Sequence, residues 1–204
     1  MNIALEPRID CHVHVLDPAR FPYTPDAWYK PLPMETGTPA QLGRVLDAHG
    51  VSHALIVGPN SGYGLDNRCL LDTIAQGKGR YKGVAVVRND ASHGELQDLQ
   101  AAGIVGVAFN VALLVVAYYR DIGPLLERLR QMGLWAQVQV EKDQLTDMAP
   151  MLQDSGARLL FDHCGRTDPR AGVGQAGFAT LLGLAQTGRA CVKLSSLTKC
   201  SNLP

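Results

Sequence analysis

His12 and His14, in the run Ile9-Asp10-Cys11-His12-Val13-His14-Val15, are the first residues able to do chemistry. The run reads as a strand, in which residues two apart share a face. Two imidazoles on one face suit a metal ion or an anionic substrate. Further along, other polar residues fall at or near the ends of apolar runs: Ser61, Asn110, Gln137 and Gln139, His163 and Arg166, and Lys199. His49, His53 and His93 lie outside any such pattern and read as surface or structural residues.

The elements that must position these groups alternate. Strands are expected at Ile9–Val15, His53–Val57, Tyr81–Val87, Ile104–Asn110, Leu134–Val140, Arg158–His163 and Ala190–Ser195. Between them helices are expected. One opens with Thr38 as N-cap and Pro39 at its first position, buries Leu42, Val45, Leu46 and His49, and ends at Gly50. Others span Asp66–Gln76, Ser92–Ala102, Asp121–Met132, Leu145–Asp154 and Gly177–Thr187. The proline-rich stretch from Asp17 to Pro33 forbids a regular helix, and its aromatics are unusual for a linker. Phe21 and Trp28 are expected to anchor it, leaving Tyr29 for substrate contact.

Strand–helix alternation means a parallel sheet, open or closed. No G-x-G-x-x-G follows the first strand and no phosphate-binding G-x-x-x-x-G-K-[ST] occurs. Polar residues at several strand ends are instead the barrel pattern. A complete barrel takes about 250 residues. The sequence has 204 and stops at Ser201-Asn202-Leu203-Pro204, just past the seventh strand. The expected fold is therefore α/β: a TIM (β/α)8 barrel truncated after its seventh strand. Residues 1–204 would form a single domain lacking the last βα unit. Such an opening would leave apolar side chains exposed on the first and seventh strands.

Lysine plus arginine equals aspartate plus glutamate at 19 each, so no general pull toward nucleic acid or an anionic membrane exists. Five scattered cysteines without a C-x-x-C pair fit a reduced, cytoplasmic protein. No leader pattern and no apolar run of membrane-spanning length is visible.

Asp10-Cys11-His12-Val13-His14-Val15, Phe21-Pro22-Tyr23-Thr24-Pro25, Gly64-Leu65-Asp66-Asn67, Asp162-His163-Cys164-Gly165-Arg166 and Val192-Lys193-Leu194-Ser195 together resemble the amidohydrolase superfamily, in its branch of small TIM-barrel lactone hydrolases. The resemblance runs from Ile9 to Ser201. It implies catalytic roles for His12, His14 and His163, with His163 polarising the lactone carbonyl. It implies substrate contacts from Tyr29, Ser61, Gln139, Arg166 and Lys199, with Arg166 clamping a carboxylate. Gln139 stands where a tyrosine is usual, and Lys199 where an arginine is.

Three departures narrow the reading. Ala108 replaces an arginine on the fourth strand, and Val111–Val116 is apolar where another is usual. The fifth strand offers Gln137 and Gln139, poor ligands for transition metals. This points to no cofactor or one divalent ion, zinc by preference, held by His12 and His14, rather than a two-metal centre. The general base of the family ends the eighth strand and is expected beyond Pro204. The implied function is hydrolysis of a small, carboxylate-bearing lactone in aromatic or sugar-acid catabolism. The partner is that small molecule, with room for a homo-oligomer. The alternatives are a zinc-dependent decarboxylase of an unsaturated diacid and an inactive truncated barrel.

Three positions carry further expectations. Cys11 should be buried packing, because it alternates with the histidines. Cys164 and Asp162 should face away from His163 for the same reason, with Asp162 supporting a neighbour. Lys193 could be an inward ligand or an ion-pair partner.

Overall fold

The computed structural model describes residues 7–196 and Thr198. It contains seven strands: β1 (Arg8–Val13), β2 (Val51–Val57), β3 (Tyr81–Ala85), β4 (Ile104–Asn110), β5 (Trp135–Gln139), β6 (Arg158–Phe161) and β7 (Ala190–Val192). The helices are α1 (Pro39–Ala48), α2 (Arg68–Gln76), α3 (His93–Ala101), α4 (Val111–Tyr118), α5 (Gly123–Met132), α6 (Gln144–Asp154) and α7 (Ala176–Gln186). The strand order is the chain order, β1 to β7. A parallel sheet wound in sequence needs a crossover between each pair of strands, and a helix supplies it each time.

The chain divides into two compact units, one of residues Met1–Val87 and Gly94–Val105, the other of Arg88–His93 and Gly106–Pro204. In the first, β1, β2 and β3 pair in parallel, with Ala54 opposite Tyr81 and Val57 opposite Val84. Thr38 caps α1 as expected: its hydroxyl accepts the Gln41 N–H at 3.3 Å while the Gln41 side chain accepts the Thr38 N–H at 2.8 Å. The buried stripe of α1 is Pro39, Leu42 and Leu46. Val45 and His49 are exposed, against expectation. Val45 falls beside the Leu42–Leu46 stripe, and His49 is the C-cap, already outside helical geometry. Gly83 lets α2 lie close on β3, since a Cβ there would meet the Ile74 and Ile104 side chains at 2.6 Å.

In the second unit β4 to β7 pair in parallel, with Asn110 opposite Gln139 and Phe161 opposite Val192. Leu125 and Leu129 of α5, Met148 of α6, and Val138 and Phe161 are fully buried and form its core. Helix α5 stops where Gly133 takes a left-handed φ of 68°, as the sequence indicates. The apolar segment after β4, which the sequence reading assigns to no element, is α4. Asn110 caps it, its side-chain oxygen accepting the Leu113 N–H at 3.1 Å. The helix is broken at Val115, whose φ of 61° is rare for a β-branched residue.

Five strands end earlier than expected, among them β3 at Ala85, β5 at Gln139 and β7 at Val192. β1 stops at Val13, so His14 lies just past it, and β6 stops at Phe161. Ile9 of β1 is 59% exposed and Leu194, just past β7, is 85% exposed. Among the described residues, no helix is long and apolar enough to cross a membrane.

Candidate active site

The first unit holds the histidine pair. Along β1, Asp10 pairs with Ala54 but Val13 with Ile56, so β1 carries one extra residue across Cys11-His12. Such a bulge turns side chains away from simple alternation. It leaves Cys11 exposed rather than packed. It also brings the two imidazoles edge to face, with centroids 5.0 Å apart and Nε2 atoms at 3.3 Å. Asp10 accepts the His12 backbone N–H at 2.9 Å, a supporting role.

His14 Nδ1 lies 2.7 Å from the Val57 carbonyl. A carbonyl only accepts, so Nδ1 is the donor, and Nε2 is the nitrogen turned toward His12. Two ligands at about 2.0–2.1 Å from one tetrahedral zinc would be about 3.3 Å apart. The pair thus fits one ion, and a carbonyl on the remote nitrogen is how a ligating histidine is usually oriented.

In the same unit the Tyr29 backbone meets Gly62, the residue after Ser61. Gly62 N–H donates to the Tyr29 carbonyl at 2.8 Å, and Thr24 N–H donates to the Gly62 carbonyl at 2.9 Å. The anchor of the proline-rich strap is Tyr23, not Trp28, which is 66% exposed. The Tyr23 ring packs 5.4 Å from the Tyr63 ring and lies on Gly62, where a Cβ would come within 2.7 Å of it. Phe21 is half-buried beneath the Arg20 guanidinium, 5.0 Å away.

The Tyr29 hydroxyl donates to Glu35 at 2.5 Å. That bond, followed by the Leu32 N–H, holds the Glu35 carboxyl below its ordinary 4.5. The same bond raises the Tyr29 phenol above 10.0. The depressed carboxyl favours the strap above pH 4.5, a contribution lost as pH falls through its lowered value. The raised phenol favours it below pH 10.0, a contribution lost as pH rises through its raised value. Spectrophotometric titration should therefore place Tyr29 above 10.0 and return it toward 10.0 in Glu35→Gln. An unchanged midpoint would contradict the contact.

The second unit holds a buried polar cluster. Gln137 of β5 donates to Asp162 Oδ2 at 2.9 Å and accepts from Lys193 Nζ at 2.7 Å. Lys193 Nζ also lies 3.0 Å from Asp162 Oδ1, with the two side chains 4% and 2% exposed. Of the two alternatives for Lys193, the structure shows the ion-pair partner. Gln137 is likewise a structural bridge.

His163 follows Asp162 but is not in a strand. His163, Cys164, Gly165 and Arg166 all have left-handed φ, between 46° and 69°. Strand alternation therefore does not govern Asp162, His163 and Cys164. Instead, one Asp162 carboxylate oxygen lies within 4.8 Å of a His163 ring nitrogen. Three non-glycine backbones of this kind within four residues are costly unless their surroundings fix them, and they cluster at functional sites. Here Cys164 N–H donates to the Lys193 carbonyl and Gly165 N–H to the Asp162 carbonyl, both at 2.9 Å.

His163 Nδ1 lies 2.9 Å from Ser195 Oγ. This contact orients the ring. In sequence, Ser195 stands out only as part of a motif, and its spacing of two from Lys193 is the signal that points to it. No sequence signal marks Glu141. It pairs with Arg166, Oε2 to Nη2, at 3.2 Å, so the expected clamp already carries a carboxylate. Gln139 is half-buried at the end of β5. Lys199 lies outside the described residues.

The fold is a parallel α/β array that carries these histidines at or just past the ends of its strands. The amidohydrolase family model matches residues 9–202, and the chain belongs to that family. It is 29% identical over 177 residues to a 2-pyrone-4,6-dicarboxylate hydrolase of Comamonas testosteroni, covering 85% of this chain and 57% of that protein. It is 27% identical over 202 residues to a 4-sulfomuconolactone hydrolase of Rhizobium radiobacter, covering 95% and 64%. The chain thus spans about three fifths of the length of these curated relatives. An Acinetobacter baumannii structure, assigned as a probable 2-pyrone-4,6-dicarboxylic acid hydrolase with citric acid bound, matches with a TM-score of 0.84 at 27% identity. That match covers 98% of this chain and 74% of the other, and places the fold among the TIM-barrel amidohydrolases, represented here by seven strands.

Proposed function

We propose that this chain carries most of the active site of a lactone hydrolase, acting on a small carboxylate-bearing cyclic ester in aromatic catabolism. Residues 1–204 would act as one amidohydrolase domain in the cytoplasm, on a small molecule rather than nucleic acid or membrane. The observation that carries this reading is His163, pinned through Nδ1 by Ser195 in a left-handed turn that also bears Arg166. The two lactone-hydrolase relatives support it, as does the citric acid bound to the Acinetobacter protein, since citrate is a polycarboxylate.

In this reading the Ser195 hydroxyl donates to His163 Nδ1, so the neutral ring carries its proton on Nε2. That N–H faces the lactone carbonyl oxygen, where charge develops as water adds to the carbonyl carbon. Arg166 binds a substrate carboxylate, and Tyr29, Ser61, Gln139 and Lys199 complete the contacts. His12 and His14 would hold a single ion, zinc, through their Nε2 atoms. Such an ion, when bound, supplies a Lewis acid for carbonyl or water. A general base takes the water proton, and the departing oxygen receives a proton as the ring opens.

The test is a lactone panel that includes 2-pyrone-4,6-dicarboxylate and 4-sulfomuconolactone, with ring opening, carbon dioxide and bound metal measured together. The expected result is a ring-opened acid without carbon dioxide. Release of carbon dioxide would establish the decarboxylase alternative in its place.

A further inference from the structure

Arg166 and Glu141 follow adjacent strands, β6 and β5, and their side chains are 23% and 36% exposed. Their 3.2 Å contact is long for a charge-assisted bond, which is typically about 2.7–2.9 Å. It uses Nη2 alone. The Nε of the same guanidinium is buried and has no hydrogen-bond partner. Nε and Nη2 form one edge with two parallel N–H vectors, which a carboxylate fills with both oxygens. Glu141 occupies half of that edge and leaves the other half unsatisfied, which is costly for a buried donor.

Neither backbone is free to repair the fit. The carbonyl of Arg166 accepts the Lys142 N–H at 3.2 Å. The N–H of Glu141 donates to Gln144 Oε1 at 3.0 Å. Both backbones are tied down, while the carboxylate reaches only Nη2, at 3.2 Å.

The geometry points to Glu141 as a displaceable latch on Arg166. It compensates the guanidinium in the resting site and gives way to a ligand carboxylate that makes both bonds. This rests on the reading of Arg166 as the carboxylate clamp. It makes Glu141 a specificity residue: a carboxylate-bearing ligand gains the full edge, whereas a neutral one must leave the latch closed. The exchange is non-covalent, and no proton need move.

The test is citrate binding to the 204-residue chain by calorimetry. Glu141→Gln keeps the shape of a part-exposed side chain and removes only the competing charge. It is expected to bind citrate about tenfold more tightly than the parent chain. Arg166→Lys keeps the charge but loses the two-nitrogen edge, and in that background Glu141→Gln should gain less than about threefold. Equal or weaker citrate binding by Glu141→Gln, including none at all, overturns the latch. So does a full gain that persists in Arg166→Lys. Turnover separates this from the hydrolase reading. If no lactone is opened but Glu141→Gln gains citrate affinity through Arg166, the latch stands and the hydrolase reading falls. If a lactone is opened and citrate affinity is unchanged, the hydrolase reading stands and the latch falls.

Discussion

Lys193→Met is expected to lower stability by about 3–5 kcal/mol, because removing one member of a buried ion pair strands the other. Lys193 and Asp162 are 4% and 2% exposed, and Gln137 bridges them, so little water can take over from the ammonium. The melting temperature should fall by about 10 °C or more for a chain of this size. Neutralising both partners in Asp162→Asn/Lys193→Met should recover much of the loss, since it leaves no buried charge. Urea unfolding of the two variants measures both effects. A single-variant loss below about 1 kcal/mol would mean that the pair behaves as a surface salt bridge.

The largest effect on turnover is expected at His163. Its φ of 52° makes alanine a poor probe, because the backbone would be strained as well. Asparagine tolerates that region and lacks the imidazole. His163→Asn should therefore keep the fold and lower kcat by about 10³-fold, within the range that one acid–base or oxyanion group supplies. That corresponds to about 4 kcal/mol of barrier. KM should shift little, because the interaction strengthens as charge grows on the oxygen. Ser195→Ala removes only the ring's orienting partner and should cost less. Steady-state kinetics on the lactone that responds in the panel decides it, and a normal kcat in His163→Asn would remove His163 from the proposed mechanism.

Much of the architecture follows from local sequence. The Thr38–Gln41 capping box, the Gly133 stop and the apolar runs of the strands act over a few residues, and each sits where its chemistry requires. The exceptions are also local in cause. Helix α4 hides in a run whose apolar residues have no periodicity, because nearly every side chain is apolar and no polar face marks a helix. Trp28 looks like an anchor by type, but Gly62 offers its bare backbone to Tyr23 instead.

The site divides in the same way. Its chemical inventory is legible in the sequence: His12, His14, His163 and Arg166 stand out as residue types at strand ends, and the family they indicate is the family the chain belongs to. Their geometry is not. Strict alternation places Cys11 in the core and Asp162 and Cys164 on fixed faces, but a bulge in β1 and a left-handed turn after β6 cancel that rule at the functional positions. Only the tertiary structure could choose the partners: Ser195 for His163, Gln137 and Lys193 for Asp162, and Glu141 for Arg166. These pairs join residues far apart in sequence, so no periodicity records them. Sequence determined which groups could react; contacts between neighbouring strands decided how each is aimed and what already holds it.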